Sequence, residues 1–307
     1  MTEPTAWSGL TVATDGLTKQ FGDVRAVDDL TLRAEPGRVT GFLGPNGAGK
    51  TTTLRMLVGL ARPSAGSATV GGVPFARLAE PLRTVGAALD AGGFHPGRTA
   101  RNHLKVHFTQ AGLPLGQVDD VLHQVGLDEA ADRRVGTFSM GMRQRLGLAT
   151  ALAGDPQVLL LDEPANGLDP EGIAWLRGFL RWLADRGRTV LVSSHLLAEM
   201  AQIADDVVII DRGRLVRAAP LEQLLGGFAP TVRVRSPQRA DLEVALATEG
   251  LHAATDGDDL VLTGTTAEHV GDVAARAGIT LHRLSAQQPD LEEVFLQLVA
   301  DGRRADP

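Results

Sequence analysis

The segment Gly44-Pro45-Asn46-Gly47-Ala48-Gly49-Lys50-Thr51 follows an apolar run at residues 38–43 (RVTGFL) and opens a stretch with helical periodicity at residues 50–60. Few local patterns restrict a fold as tightly. A G-x-x-x-x-G-K-[ST] loop needs a strand to deliver it and a helix to carry it away. Its glycines let successive backbone N–H groups turn inward around an anion, and the helix N-terminus adds positive potential at the same point. Lys50 is placed to reach the β- and γ-phosphates of a nucleoside triphosphate, and the Thr51 hydroxyl to bind Mg²⁺. Thr52 continues the phosphate-binding run. Lysine occurs only at positions 19, 50 and 105 of an arginine-rich chain, so composition did not place one here. The pattern defines a nucleotide site that many unrelated NTPases share.

Residues 157–161 (QVLLL) and 189–192 (TVLV) read as two more buried strands. Residues 170–186 between them read as a helix with Ile173, Leu176, Phe179, Leu180 and Leu183 on one face. That alternation predicts a largely parallel sheet covered by helices. Residues 99–152 read as a mostly helical insert, and residues 206–218 as a hairpin turning at Arg212-Gly213. A break follows at Gly226-Gly227. Beyond it the expected order is strand 231–235, helix 238–249, strands 251–255 and 259–263 joined at Asp256-Gly257-Asp258, helix 266–277, strand 279–284 and helix 290–300. This is the split βαβ order of a ferredoxin-like unit.

The strand at 157–161 runs into Asp162-Glu163-Pro164. An Asp closing such a strand can hold Mg²⁺ opposite Thr51, and Glu163 beside it is placed to polarise a water as general base. Other chemistries drop out. The chain has no cysteine, which removes disulfides, iron–sulfur clusters and thiolate zinc sites. A formal net charge of -7 argues against a nucleic-acid partner. No apolar run reaches the ~18 residues of a membrane span, and the opening MTEPTAWSGL lacks the features of a secretory leader.

With these residues in view, the stretch from about residue 10 to 225 resembles the ATP-binding cassette of ABC transporters. That family's L-S-G-G-Q signature corresponds to Phe138-Ser139-Met140-Gly141-Met142, where Ser139 and Gly141 match while Phe138, Met140 and Met142 depart. The resemblance implies that Ser139, Met140, Gly141 and Met142 act in trans on the nucleotide of an opposing subunit. Ser139 is equally an ordinary helix N-cap. Gly167-Leu168-Asp169-Pro170 resembles the D-loop, with Asp169 linking two active sites. His195, after TVLVSS, falls where the family carries its switch histidine, which senses γ-phosphate, and the resemblance makes it a catalytic residue along with Glu163. Phe21, in Lys19-Gln20-Phe21-Gly22, falls where the family stacks an aromatic ring on adenine; the alternative is a core phenylalanine. Asp90 takes the Q-loop position, usually glutamine, and is a further candidate ligand for Mg²⁺. Residues 288–296 (QPDLEEVFL) and the string EPANGLDPEGI resemble exporter ATPases of the daunorubicin-resistance type, the ABC-2 exporters.

The implied fold is α/β: a P-loop NTPase cassette over residues 10–225, with a helical subdomain at about 99–152. A small C-terminal α+β (ferredoxin-like) domain over 226–307 follows, in an accessory or regulatory role. The implied reaction is hydrolysis of ATP to ADP and phosphate with Mg²⁺, powering export of drugs, lipids or other small hydrophobic compounds. The implied partners are an integral membrane permease and a second copy of the chain in a head-to-tail ATP-sandwich dimer. Both would meet at the cytoplasmic face of a bacterial membrane, with no nucleic acid. Three rival cassette types fit less well. Those acting on DNA ends carry long heptad coiled coils between cradle and signature, which this chain lacks. Ribosome-bound factors carry two cassettes, and an iron–sulfur-assembly cassette leaves residues 226–307 without a purpose.

Overall fold

The computed structural model describes residues 9–89, 93–227, 231–287 and 291–305. The chain divides into two compact units, residues 1–221 with 301–307, and residues 222–300.

In the first unit, β1 (Val12–Phe21) turns through Gly22 and Asp23 into β2 (Val24–Ala34), an antiparallel hairpin with Phe21 opposite Val24 at its tip. β3 (Val39–Leu43) is buried along its whole length, as a strand covered on both faces must be. It ends at the glycine loop, which leads into α1 (Lys50–Leu57). β4 (Ala65–Val70) returns to the hairpin, giving a three-stranded sheet ordered β2-β1-β4. After α2 (Pro81–Thr84) and β5 (Val85–Ala88), the helical insert consists of α3 (Ala100–Gln110), α4 (Val118–Gln124) and α5 (Met140–Leu152).

The remaining elements are β6 (Val158–Asp162), α6 (Pro170–Asp185), β7 (Thr189–Ser194), α7 (Leu197–Met200), β8 (Asp206–Asp211) and β9 (Arg214–Pro220). They complete a six-stranded sheet ordered β5-β6-β7-β3-β8-β9, parallel throughout except for the last pair. That pair turns on Arg212 and Gly213, both at positive φ (49° and 82°), the backbone a two-residue hairpin favours. α1 is clamped between the two sheets. Leu54, Met56 and Leu57 join Leu17 and Leu30 of the first sheet and Phe42, Leu160, Leu191 and Ile210 of the second in one buried cluster. Each large apolar side chain contributes roughly 1.5–3 kcal/mol on burial, so the helix that presents Lys50 is held from both sides.

α8 (Leu221–Gly226) straddles the division. The second unit contains β10 (Thr231–Arg235), α9 (Arg239–Thr248), β11 (Ala253–Asp256), β12 (Asp259–Thr263), α10 (Ala267–Arg276) and β13 (Arg283–Gln287), and α11 (Leu291–Ala305) follows. The sheet order β11-β12-β10-β13, antiparallel throughout, is that of a split βαβ ferredoxin-like unit. Two strands start later than the sequence predicts: β11 at 253 rather than 251, and β13 at 283 rather than 279. The cause is helix capping. Leu251 and Ile279 have apolar side chains suited to a strand, but their N–H groups donate back to Leu246 and Ala274. Gly250 and Gly278, at φ 75° and 68°, close the same Schellman motifs.

Candidate functional site

The glycine loop is shaped by close backbone approach. A Cβ on Gly44 would stand 2.6 Å from the Ile210 carbonyl oxygen, and one on Gly49 would stand 2.5 Å from that of Ala26. Gly47 and Gly49 sit at φ 82° and 105°, a region that side chains disfavour. The Ala48 N–H donates to the Pro45 carbonyl oxygen at 3.1 Å, and Asn46 is exposed at the loop's crest. Lys50, only 6% exposed, curls over the loop and donates to the Gly44 carbonyl oxygen at 2.6 Å. Thr51 and Thr52 lie half-buried in the first turn of α1.

Two carboxylates reach this loop from the end of β6 and diverge. Asp162 accepts the Thr51 hydroxyl at 2.7 Å on one oxygen and the Ser193 hydroxyl on the other. Glu163 turns the opposite way because its backbone is left-handed, at φ 50°. That conformation costs a non-glycine residue on the order of 1 kcal/mol or more. Here the Glu163 N–H donates to the Ser193 Oγ at 3.0 Å and to the Ser193 carbonyl oxygen at 3.2 Å, which holds the turn in place. Glu163 Oε1 is 3.3 Å from the Lys50 ammonium, and Oε2 is 2.8 Å from His195 Nδ1. The structure therefore gathers Lys50, Thr51, Asp162, Glu163 and His195 into one cluster.

Two residues of this cluster escaped the sequence reading. Ser193 bridges both acids, and nothing in the spacing of a serine at a strand end announces that. Glu199 on α7 has a carboxyl pushed above its ordinary range by burial, with Glu163 adding to the shift and the charge of His195 opposing it. Its Oε2 is buried and makes no hydrogen bond.

The other predicted residues lie elsewhere in the first unit. Ser139 caps α5, accepting the Met142 N–H at 3.3 Å. Asp169 caps α6, accepting the Gly172 N–H at 2.8 Å. The two caps are neighbours: Gly167 abuts the Met140 side chain, Gly141 lies near Leu168, and Gln144 Nε2 donates to the Asn166 carbonyl oxygen at 3.4 Å. Ser139, Gly141, Met142 and Asp169 line a cavity of about 580 Å³. The Asn166 N–H donates to the Glu163 carbonyl oxygen at 3.2 Å, while among the described residues no hydrogen bond or ion pair joins Ser139, Gly141, Met142 or Asp169 themselves to Lys50, Asp162 or Glu163. Phe21 is 53% exposed at the hairpin tip, so it is no core residue. Asp90 lies outside the described residues.

The donor set suits a nucleoside triphosphate with a divalent ion. Inward-facing backbone and one buried ammonium meet phosphate, while a threonine hydroxyl and a strand-end aspartate offer the hard oxygen ligands Mg²⁺ prefers. Fold and cluster together are those of a P-loop nucleotide-binding protein. Residues 27–166 match the ABC transporter family, and residues 230–292 match a domain family of unknown function. The chain is 43% identical to the bacitracin transport ATP-binding protein BcrA of Bacillus licheniformis over 69% of this chain and 71% of that protein. It is 35% identical to the daunorubicin resistance ATP-binding protein DrrA3 of Streptomyces coeruleorubidus over 95% and 97%. A solved ATP-binding subunit of an ABC transporter superposes with a TM-score of 0.63 at 24% identity, covering 70% of this chain and 92% of that one.

The chain belongs to the ATP-binding subunits of ABC transporters. It is an ATPase whose cofactors are ATP and Mg²⁺, and subunits of this family work with membrane permease components. No helix among the described residues is long and apolar enough to cross a membrane.

Proposed function

We propose that this chain powers an exporter of drugs or other small hydrophobic compounds, acting as a head-to-tail dimer bound to a separate permease at the cytoplasmic face of a bacterial membrane. The observation that carries the reading is the convergence of Lys50, Thr51, Asp162, Glu163 and His195 at the mouth of one glycine loop. In this reading the loop N–H groups and Lys50 bind the β- and γ-phosphates. Thr51 and Asp162 hold Mg²⁺, which supplies charge neutralisation at the phosphate oxygens. Glu163 accepts the proton of the attacking water, and His195, hydrogen-bonded to it, orients its carboxylate. Phe21 stacks on adenine. Ser139 and Gly141, at the N-terminus of α5, face the γ-phosphate of the opposing copy, where the helix dipole favours an anion. No nucleic acid takes part.

The exporter assignment is supported by relatives named for bacitracin transport, daunorubicin resistance and, at 36% identity over 91% of this chain, Nod factor export in Burkholderia lata. The permease contact is supported by an apolar cleft of about 490 Å³ lined by Leu60, Phe75, Leu82, Ala87, His107 and Leu113. It lies beside β5 and suits an amphipathic helix of the permease.

The decisive variant is Glu163→Gln. Turnover should fall by roughly 10² or more, the scale of a lost general base, while ATP binding persists and an ATP-bound dimer accumulates in light scattering. An active Glu163→Gln protein removes Glu163 from the chemistry. Purification with ribosomes rather than with a polytopic membrane protein would overturn the transport reading.

A further inference from the structure

Lys19 is one of three lysines in the chain, and its surroundings hold it firmly. Its ammonium donates to the Arg62 carbonyl oxygen at 2.7 Å and stands 4.8 Å from the centroid of the Phe21 ring. Residues two apart on a strand share a face, which brings Lys19 beside Phe21 on β1. The register slip between Lys19 and Gln20 falls on the partner strand, where Val27 and Arg25 are successive partners, so the alternation of β1 survives. Two more bonds tie this strand end to the same loop. The Gln20 N–H donates to Ser64 Oγ at 3.0 Å, and the Ser64 N–H donates to the Thr18 carbonyl oxygen at 2.8 Å. Residues 62–64 lie just beyond α1, whose first residue is Lys50. One helix and its following loop thus brace both the phosphate-facing lysine and the ring-facing one.

We propose that Lys19 is a positioning residue for the base of the bound nucleotide: anchored on the Arg62 carbonyl, it holds the exposed Phe21 ring by a cation–π contact and leaves the other ring face for a purine. The inference rests on the reading of Phe21 as the adenine platform. Two physical effects follow. A ring already fixed loses less freedom when the base stacks on it, so less of the stacking energy is spent on ordering. A cation over one face also draws π density away from the other, which suits an electron-rich purine. The obvious alternative is that Lys19 merely attracts the triphosphate as a positive charge.

The test uses the full-length chain with Lys19→Met, Lys19→Arg and Phe21→Ala, and two probes: ATP and inorganic tripolyphosphate, each with Mg²⁺. Lys19→Met should weaken ATP binding about two- to five-fold, the strength of an exposed cation–π pair, and leave tripolyphosphate binding unchanged. KM for ATP should rise by the same factor while kcat holds, and Lys19→Arg, which keeps a cation over the ring, should recover most of the loss. Unchanged or tighter ATP binding in Lys19→Met overturns the proposal, and so does an equal loss for tripolyphosphate, which would mark a plain charge effect. Phe21→Ala separates the two layers. If it binds ATP like the unaltered protein, the platform itself is misread; if it weakens ATP while Lys19→Met does not, only the role of Lys19 falls.

Discussion

A charge as deep as that of Lys50 needs partners, and it has the carbonyl oxygens of Gly44 and Pro45 and the Glu163 carboxylate. Lys50→Ala removes this ammonium and leaves the Glu163 carboxylate its hydrogen bond with the His195 ring. Truncating one member of a buried charge cluster typically costs several kcal/mol, so ATP affinity should fall by about 10² or more. Equilibrium titration with a fluorescent ATP analogue measures it, and near-unaltered affinity would refute the cradle. Lys50, Thr51 and Asp162 were legible in the sequence because the loop pattern fixes residue types at fixed spacing. Thr51 and Asp162 are 111 residues apart, yet the parallel sheet brings them to 2.7 Å. Ser193 was not legible, because its role depends on which side chains β6 and β7 place beside it. Nor was the left-handed backbone of Glu163, which no composition rule foretells for a glutamate.

At the scale of elements, β3, β6 and β7 of the first unit read clearly because both faces are buried and their apolar runs are unbroken, whereas β1, β2 and β4, partly exposed and without such runs, were not legible as strands. The second unit read less accurately at strand starts, since Leu251 and Ile279 serve the core while their amides cap helices. The helical insert hides another feature. His103 on α3 is 4% exposed, its ring lies edge-on to Phe94 at 5.0 Å, and its Nε2 is 3.3 Å from Thr150 Oγ1. Burial, with the nearby charges of His107 and Arg98, pulls its pKa down to about 4. His107 is lowered as well, chiefly by burial and then by Arg98. A histidine depressed on folding binds fewer protons in the native than in the unfolded state between about pH 4 and the ordinary value near 6.5. The stability it protects is therefore complete above about pH 6.5 and drains away as pH falls toward 4. Denaturant melts across that range should show His103→Phe losing less stability than the unaltered chain, by on the order of 1–3 kcal/mol. Parallel curves for the two proteins would show that His103 carries no such linkage.

For the whole molecule, the arrangement of cores matters most. Leu17, Phe42, Leu54, Leu160 and Ile210 belong to one buried cluster, and Val232, Val234, Leu242, Leu260, Val270 and Val273 to another. Each unit thus buries its own apolar surface, the condition for a domain that can stand alone. All the candidate nucleotide residues fall in the first unit, and the second holds no group of three or more potential metal ligands among the described residues. Its sheet hides Val232 and Val234 on one face. On the other face Arg233, Arg235 and Arg283 surround Asp259, whose carboxyl the Arg235 guanidinium holds below the usual range. A charged, ion-paired sheet face of this kind does not demand burial, yet it offers a fixed pattern for a second copy or a permease to read. We therefore expect this unit to regulate assembly rather than hydrolysis. Truncation after Gly226 should leave ATP affinity unchanged while weakening dimerisation, permease association or transport. Titration with ATP, gel filtration and co-purification with the permease measure the three effects. A soluble, folded truncation that no longer binds ATP would place part of the nucleotide site in the second unit, and one that dimerises and drives transport as before would leave that unit without the assembly role.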